Sequence, residues 1–155
     1  GAALPARLAP LLRPTVIVGL GLDLVEIARV ERMLARHGEH LLRRLFTDAE
    51  AAYARRRQEP ARHLAARLAA KEAAFKALAG DALARRIGWR DLEVVPAFDG
   101  RPLLRLHGAA AERARALGVG RMHVTLTHSE GMAAAVVVLE QGASPLAADA
   151  LDSAP

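Results

Sequence analysis

Cysteine is absent from the 155 residues, which excludes a disulfide scaffold, a thiolate zinc site and a thiol nucleophile, and suits a reducing cytoplasm. Aromatics are scarce: one Trp, one Tyr and three Phe leave little surface on which single-stranded bases could stack. The longest unbroken apolar run, Met132 to Leu139, falls far short of the ~20 residues that cross a bilayer. No Gly-rich phosphate loop, nucleophile elbow or zinc-protease motif occurs, and the Gly19-Leu-Gly21 stretch is too short for a dinucleotide fingerprint. The oddest shortage is lysine. Of 22 basic residues, 20 are Arg, and the two Lys, Lys71 and Lys76, stand five positions apart.

What is present is alanine, 35 residues of it, and a net charge of +5. The length fits one domain with a buried core, assigned to residues 15–140. Residues 1–14 mix Ala, Leu, Pro and Arg without acids, a composition shared with transit peptides; a flexible extension is expected there. Residues 141–155, rich in Ala, Ser, Pro and Asp, are expected to form a disordered tail. Between Ala28 and Arg57, eight Arg face only Glu31, Glu39, Asp48 and Glu50. Such an excess favours an acidic partner, be it nucleic acid, an anionic membrane or an acidic protein.

Thr15 to Asp23 is apolar and β-branched and predicts a strand, with Ile17, Gly19, Gly21 and Asp23 on one face. Ile27, Val30 and Leu34 predict a helix to about Arg36 with Gly38 as its stop, and Arg29, Arg32 and Arg36 form a stripe on its polar side. A helical turn follows over Leu41–Phe46, then a capping box, Thr47-Asp-Ala-Glu50, opening another helix before Pro60. Ala61 to Ala79 is the most helix-prone stretch, and its alanines would allow very close packing. Strands are predicted at Leu92–Ala97 and Pro102–Leu106 around an Asp99-Gly100 turn, and at Met122–Thr127 and Ala133–Leu139 after a helix over Gly108–Leu117. The last strand is apolar on both faces and is expected to be central and fully covered. The order β-α-α-α-β-β-α-β-β indicates an α+β fold with a mostly antiparallel sheet packed with helices.

Three places could carry chemistry. Glu72 and Lys76 are neighbours on one face of the Ala-rich helix, where a packed carboxylate and ammonium need partners or mark a site. Asp23 ends an apolar strand after two glycines; local sequence favours a helix N-cap, but together with Glu72 it would offer the hard oxygens that Mg²⁺ prefers. Thr127, His128 and Ser129 form a compact hydrogen-bonding cluster at a strand end.

In order, these pieces resemble the holo-acyl-carrier-protein synthase family, the short type of 4′-phosphopantetheinyl transferase. The resemblance spans about Val16 to Glu140. It rests on Val18-Gly-Leu-Gly-Leu-Asp23 with Glu26 and Arg29, on Ala65-Ala-Arg-Leu-Ala-Ala-Lys-Glu-Ala-Ala-Phe-Lys-Ala77, on Gly100-Arg-Pro102, and on His123-Val-Thr-Leu-Thr-His128. It implies transfer of the phosphopantetheine arm of coenzyme A to a serine of apo-acyl carrier protein, with release of adenosine 3′,5′-bisphosphate, in a cytoplasmic homotrimer with sites between subunits. Asp23 and Glu72 would then hold Mg²⁺, Lys76 would neutralise phosphoryl oxygens, and Glu72 or a water it orients would take the serine proton. Arg67, Lys71, Gly100, Arg101, Pro102, Thr127 and His128 would contact coenzyme A, and Arg29, Arg32 and Arg36 would dock the acidic carrier. The resemblance leaves open whether that carrier is of fatty-acid or polyketide type. After Lys76 the family's Gly-Thr-Gly-like turn is replaced by Leu78-Ala-Gly-Asp81, so that loop is a departure. The competing class is a basic nucleic-acid-binding module using Arg29 to Arg57; it is not expected, because aromatics are few and no binding motif appears.

Overall fold

The first strand lies so close to the long Ala-rich helix that only glycine fits between them, and the rest of the fold is arranged around that contact. The computed structural model describes residues 16–142, so the expected extension at 1–14 and nearly all of the expected tail lie outside the described residues. Strand β1 (Ile17–Glu26) runs past the predicted end at Asp23 and alternates as predicted from Gly19 on: Gly21 and Val25 are buried and Gly19 and Asp23 half-buried, whereas Leu20, Leu22 and Leu24 point outward. Ile17, expected on the inward face, is exposed beyond a register shift. Helix α1 (Ile27–Leu45) follows without a loop and breaks at Gly38, whose φ of 47° and ψ of −127° separate residues 27–37 from 39–45. The expected stop at Gly38 is therefore a kink between two helical segments. Helix α2 (Asp48–Arg55) opens on the predicted capping box, with Glu50 N–H donating to Thr47 Oγ1 and Thr47 N–H donating to Glu50 Oε2.

Helix α3 (Pro60–Leu78) begins with proline at its first turn, where a missing N–H costs nothing. Ala65, Ala69, Ala70, Ala73 and Ala74 are fully buried. A Cβ added at Gly19 would sit 2.3 Å from the Ala77 carbonyl oxygen, and one at Gly21 only 1.8 Å from that of Ala73. Glycine on the strand and alanine on the helix are thus two halves of one close backbone contact.

Strands β2 (Leu92–Pro96) and β3 (Pro102–Leu106) form the predicted hairpin, with Gly100 at φ 85° in the turn. Helix α4 (Gly108–Ala116) ends before Gly118 at φ 68°. Strands β4 (Val119–His128) and β5 (Met132–Gln141) are longer than predicted, and β5 runs one residue into the expected tail. Sheet order is β1-β5-β4, antiparallel throughout, with β2-β3 as a separate two-stranded sheet. The expected α+β architecture is what forms. β5 is central, as expected, but covered on one face only: Ala133, Ala135, Val137 and Leu139 are buried, whereas Ala134, Val136 and Val138 are half-buried.

The departure loop after α3 is held by one side chain. Arg113 donates from Nε to the Leu78 carbonyl (2.9 Å) and from Nη2 to that of Ala79 (3.1 Å), and its Nη1 lies 2.6 Å from Asp81 Oδ2. Asp81 in turn accepts from Ala84 N–H at 2.9 Å.

Candidate active site

The β1–α3 contact sets the spacing of the first cluster. Asp23 lies two residues beyond Gly21 on the inward face, and Glu72 and Lys76 rise from α3 beside Ala73 and Ala77. Lys76 Nζ donates to Asp23 Oδ1 at 2.7 Å and to the Leu22 carbonyl at 2.8 Å. Asp23 is not a helix cap: Glu26 is the N-cap residue of α1, with no side-chain cap bond. Burial first, and then the nearby Asp23, push the Glu72 carboxyl above its ordinary range, while Lys76 and Arg29 pull the other way. Asp23, Glu72 and Arg29 line one cleft of about 390 Å³, floored by Leu68 and Trp89. Two close carboxylates held by two cations suit a site whose occupant brings both positive and negative charge.

The Arg stripe runs outward from this cleft along α1. Arg29 lines it, Arg32 pairs with Glu26 at 3.3 Å, and Arg36 is exposed further on.

A second cavity, of about 200 Å³, gathers most of the residues expected to contact coenzyme A: Arg67, Gly100, Pro102, Thr127 and His128. Arg101 belongs to the same turn, but its guanidinium pairs with Asp99 at 3.3 Å and does not line the cavity. Arg67 is only 5% exposed, yet its Nε has no hydrogen-bond partner among the described residues. Its guanidinium stacks 3.9 Å from the Tyr53 ring, and Arg57 stacks on the same ring at 4.4 Å. A buried cation with an unused donor beside an open cavity is a ready anion site. Among the lining side chains that carry an aromatic ring, sequence reasoning missed Tyr53 and His63. The available signal was the helical spacing of His63 and Arg67, four apart on one face.

Lys71 is the correction. It was expected to contact coenzyme A, but it is fully buried and lines neither the cleft nor the second cavity. Its Nζ pairs with Glu50 Oε2 at 2.8 Å and donates to the carbonyls of Trp89 and Leu92. One step from Glu72 turns a side chain about 100° around the helix, here into the core. Burial pulls the Lys71 ammonium below its ordinary range, with Glu50 working against that. Glu50 also accepts from Val94 N–H at 3.0 Å, and Thr47 Oγ1 donates to Glu93 at 2.9 Å. The capping box is therefore one end of a buried polar network that ties α2, α3 and β2 together.

Known proteins share this sequence and fold. The family model of the 4′-phosphopantetheinyl transferase superfamily matches residues 19–137. A holo-acyl-carrier-protein synthase of Anaeromyxobacter dehalogenans is 51% identical over 133 residues, covering 84% of this chain and 100% of the relative. The crystal structure of the holo-acyl-carrier-protein synthase from Neisseria meningitidis superposes with a TM-score of 0.72 at 26% identity, covering 81% of this chain and 100% of that one. The Bacillus anthracis enzyme, solved in complex with CoA (3′,5′-ADP), gives 0.65 at 30% identity, covering 81% and 98%. The matched span runs from Gly19 on β1 to Val137 on β5 and so takes in the cleft, the cavity and the close contact between strand and helix. On sequence and fold together, the chain belongs to the holo-acyl-carrier-protein synthase family, enzymes of the 4′-phosphopantetheinyl transferase superfamily.

Proposed function

We propose that this chain transfers the 4′-phosphopantetheine arm of coenzyme A to a serine of an apo-acyl carrier protein, with Mg²⁺, releasing adenosine 3′,5′-bisphosphate. The observation that carries this reading is the cleft lined by Asp23 and Glu72, with Lys76 bonded to Asp23 beside it, at the root of a basic helical stripe. The relative solved with CoA supports coenzyme A as the substrate.

The donor set fits Mg²⁺. Asp23 and Glu72 supply two hard carboxylate oxygens, and no group of three or more metal-ligating side chains occurs among the described residues, so water and phosphate oxygens would complete an octahedron. A bound Mg²⁺ would supply charge neutralisation at the diphosphate. Lys76 is held by Asp23 and the Leu22 carbonyl, and it presents a compact positive charge where phosphoryl oxygens gain charge. The serine oxygen attacks the phosphorus that carries the pantetheine arm. The bond from that phosphorus to the bridging oxygen breaks, and adenosine 3′,5′-bisphosphate leaves with the electron pair. Glu72, its carboxyl raised by burial, or a water it orients, accepts the serine proton. Arg29, Arg32 and Arg36 hold the acidic carrier so that its serine lies in line, which is most of what phosphoryl transfer asks of a protein.

The reading extends to a homotrimer with sites between subunits. Leu20, Leu22 and Leu24, each 57–63% exposed, form an outward apolar face with their half-buried cross-strand neighbours Val136 and Val138. Covering that face with other copies would bury it. The cleft and the cavity share no lining residue, so the cleft of one subunit would meet the cavity of the next.

The test is release of adenosine 3′,5′-bisphosphate from coenzyme A, which should require both apo-carrier and Mg²⁺. Charge reversal at Arg29 and Arg32 should raise KM for the carrier while leaving coenzyme A affinity intact. No release with any apo-carrier, together with strongly salt-dependent nucleic-acid binding, would overturn the reading in favour of a nucleic-acid-binding module.

A further inference from the structure

His63 lines the 200 Å³ cavity, and the mechanism above gives it no task. It sits one helical turn before Arg67, whose Nη1 donates to the His63 carbonyl at 3.4 Å. Its ring meets Tyr53 edge-on, with centroids 5.9 Å apart at 76°. The charged groups that act on it come from every neighbouring element. They are Arg62 and Arg67 from α3, Arg57 just past α2, and His128 at the end of β4, with the Tyr53 ring between Arg57 and Arg67. All of these charges are cationic or become so on protonation. The cavity is thus a small basic chamber, and its deepest cation, Arg67, keeps one donor unpaired.

We propose that His63 is a positioning residue for a phosphate group of the substrate and takes up a proton as that phosphate enters the cavity, so that coenzyme A binding is coupled to pH. This rests on the reading of the cavity as a coenzyme A site. The physical argument has two sides. In the free chamber, burial and then Arg67, Arg57, His128 and Arg62 hold the ring below its ordinary value, so it is neutral near pH 7. A phosphate brought against the same cations reverses the sign of the local potential and favours the imidazolium, which then donates from both ring nitrogens. Linkage sets the consequence: the complex binds more protons than the free protein, so affinity rises as pH falls through the window between the two His63 values.

The experiment is calorimetric titration of coenzyme A into the wild-type protein and into His63→Gln and His63→Lys. Each is run at pH 6, 7 and 8 in two buffers of different ionisation enthalpy, which gives the number of protons taken up. The 3′-phosphate itself titrates near pH 6 in every arm, so the difference between wild type and variant isolates the ring. Wild type should take up about half a proton more than His63→Gln at pH 7, and its Kd should weaken about tenfold more between pH 6 and 8. His63→Lys, charged throughout, should bind tightly with no such excess uptake. Dephospho-coenzyme A assigns the partner: the excess persists if the diphosphate faces His63 and disappears if the 3′-phosphate does. Equal proton counts in wild type and His63→Gln, with coenzyme A bound by both, would overturn the role of His63 and leave the coenzyme A reading standing. Failure of both to bind coenzyme A at any pH would overturn the two together.

Discussion

Gly21→Ala tests the contact on which the active cleft depends. The added methyl would lie 1.8 Å from the Ala73 carbonyl oxygen, 2.7 Å from its carbon and 3.1 Å from the Ala73 Cα. All three are backbone atoms of a buried helix, so no side chain can swing aside. Real Cβ contacts stay above 3.0 Å, so β1 and α3 must part by about 1.2 Å or distort by as much. Overpacking of this kind costs about 1–3 kcal/mol, and the case belongs at the upper end because only backbone can yield. Loss of glycine's freedom in the unfolded chain returns about 0.4–1 kcal/mol, leaving a net destabilisation near 2 kcal/mol. The effect on catalysis is larger. Asp23 is two residues along the strand and Glu72 is adjacent to Ala73, so the same displacement separates the two carboxylates and stretches the 2.7 Å Lys76–Asp23 contact out of hydrogen-bonding range. A misplacement of about 1 Å costs on the order of 10²-fold in rate. Urea unfolding at fixed protein concentration and kcat on an apo-carrier measure both. Gly131→Ala, where an added Cβ meets nothing within 4 Å, is the control and should stay within about 0.5 kcal/mol of wild type. A Gly21→Ala protein as stable as that control, with full kcat, would refute the reasoning.

Lys76→Arg should lower kcat/KM about 10²-fold with little change in melting temperature, because a planar guanidinium cannot repeat the compact contact with Asp23 and the Leu22 carbonyl; a loss under threefold contradicts this. Lys71→Met leaves Glu50 charged and buried without its cation and should cost about 3–5 kcal/mol in urea unfolding, whereas a cost below about 1 kcal/mol would show that the network is not what ties α2 to α3. Burial pushes the Glu93 carboxyl up, but hydrogen bonds from His107 and Thr47 outweigh it and hold the group below its ordinary value. Its stabilising contribution is therefore present above the ordinary carboxylate range and lost as pH falls through it; Glu93→Gln should flatten the acid limb of a stability–pH curve below about pH 5. Mixing inactive Glu72→Ala with inactive Arg67→Ala under exchange should restore about a quarter of wild-type activity if cleft and cavity come from different subunits, and none if each chain carries its own complete site.

Much of this was legible because its causes are local. The Asp99-Gly100 turn, the Thr47–Glu50 capping box and the Gly38 break each depend on a few adjacent residues whose backbone preferences have no rival. The close approach of β1 to α3 could be anticipated, since small residues on both elements have little other use. What could not be read was direction around a helix relative to a core not yet built. Lys71 and Glu72 are adjacent in sequence, and only the packing of α3 decides which one enters the protein. The partners of Lys71 show the same limit: Glu50 lies on another helix and the Trp89 and Leu92 carbonyls lie beyond a loop. The Arg113 clamp spans more than thirty residues and leaves no local signal. β4 begins before the predicted Met122 because pairing of Val119 and Arg121 with the end of β5 carries the strand across Gly120, a long-range contact with no local signal. Nothing local singles out Tyr53; only the fold sets Arg57 and Arg67 against its ring.

The most direct measurement is the intact mass of an apo-acyl carrier protein incubated with coenzyme A, Mg²⁺ and this protein. The wild type should shift the carrier by the mass of one phosphopantetheine, and Glu72→Ala, folded to the same melting temperature, should leave it unmodified over the same time. A carrier panel left unshifted by the wild type, or shifted equally by wild type and Glu72→Ala, would contradict the account.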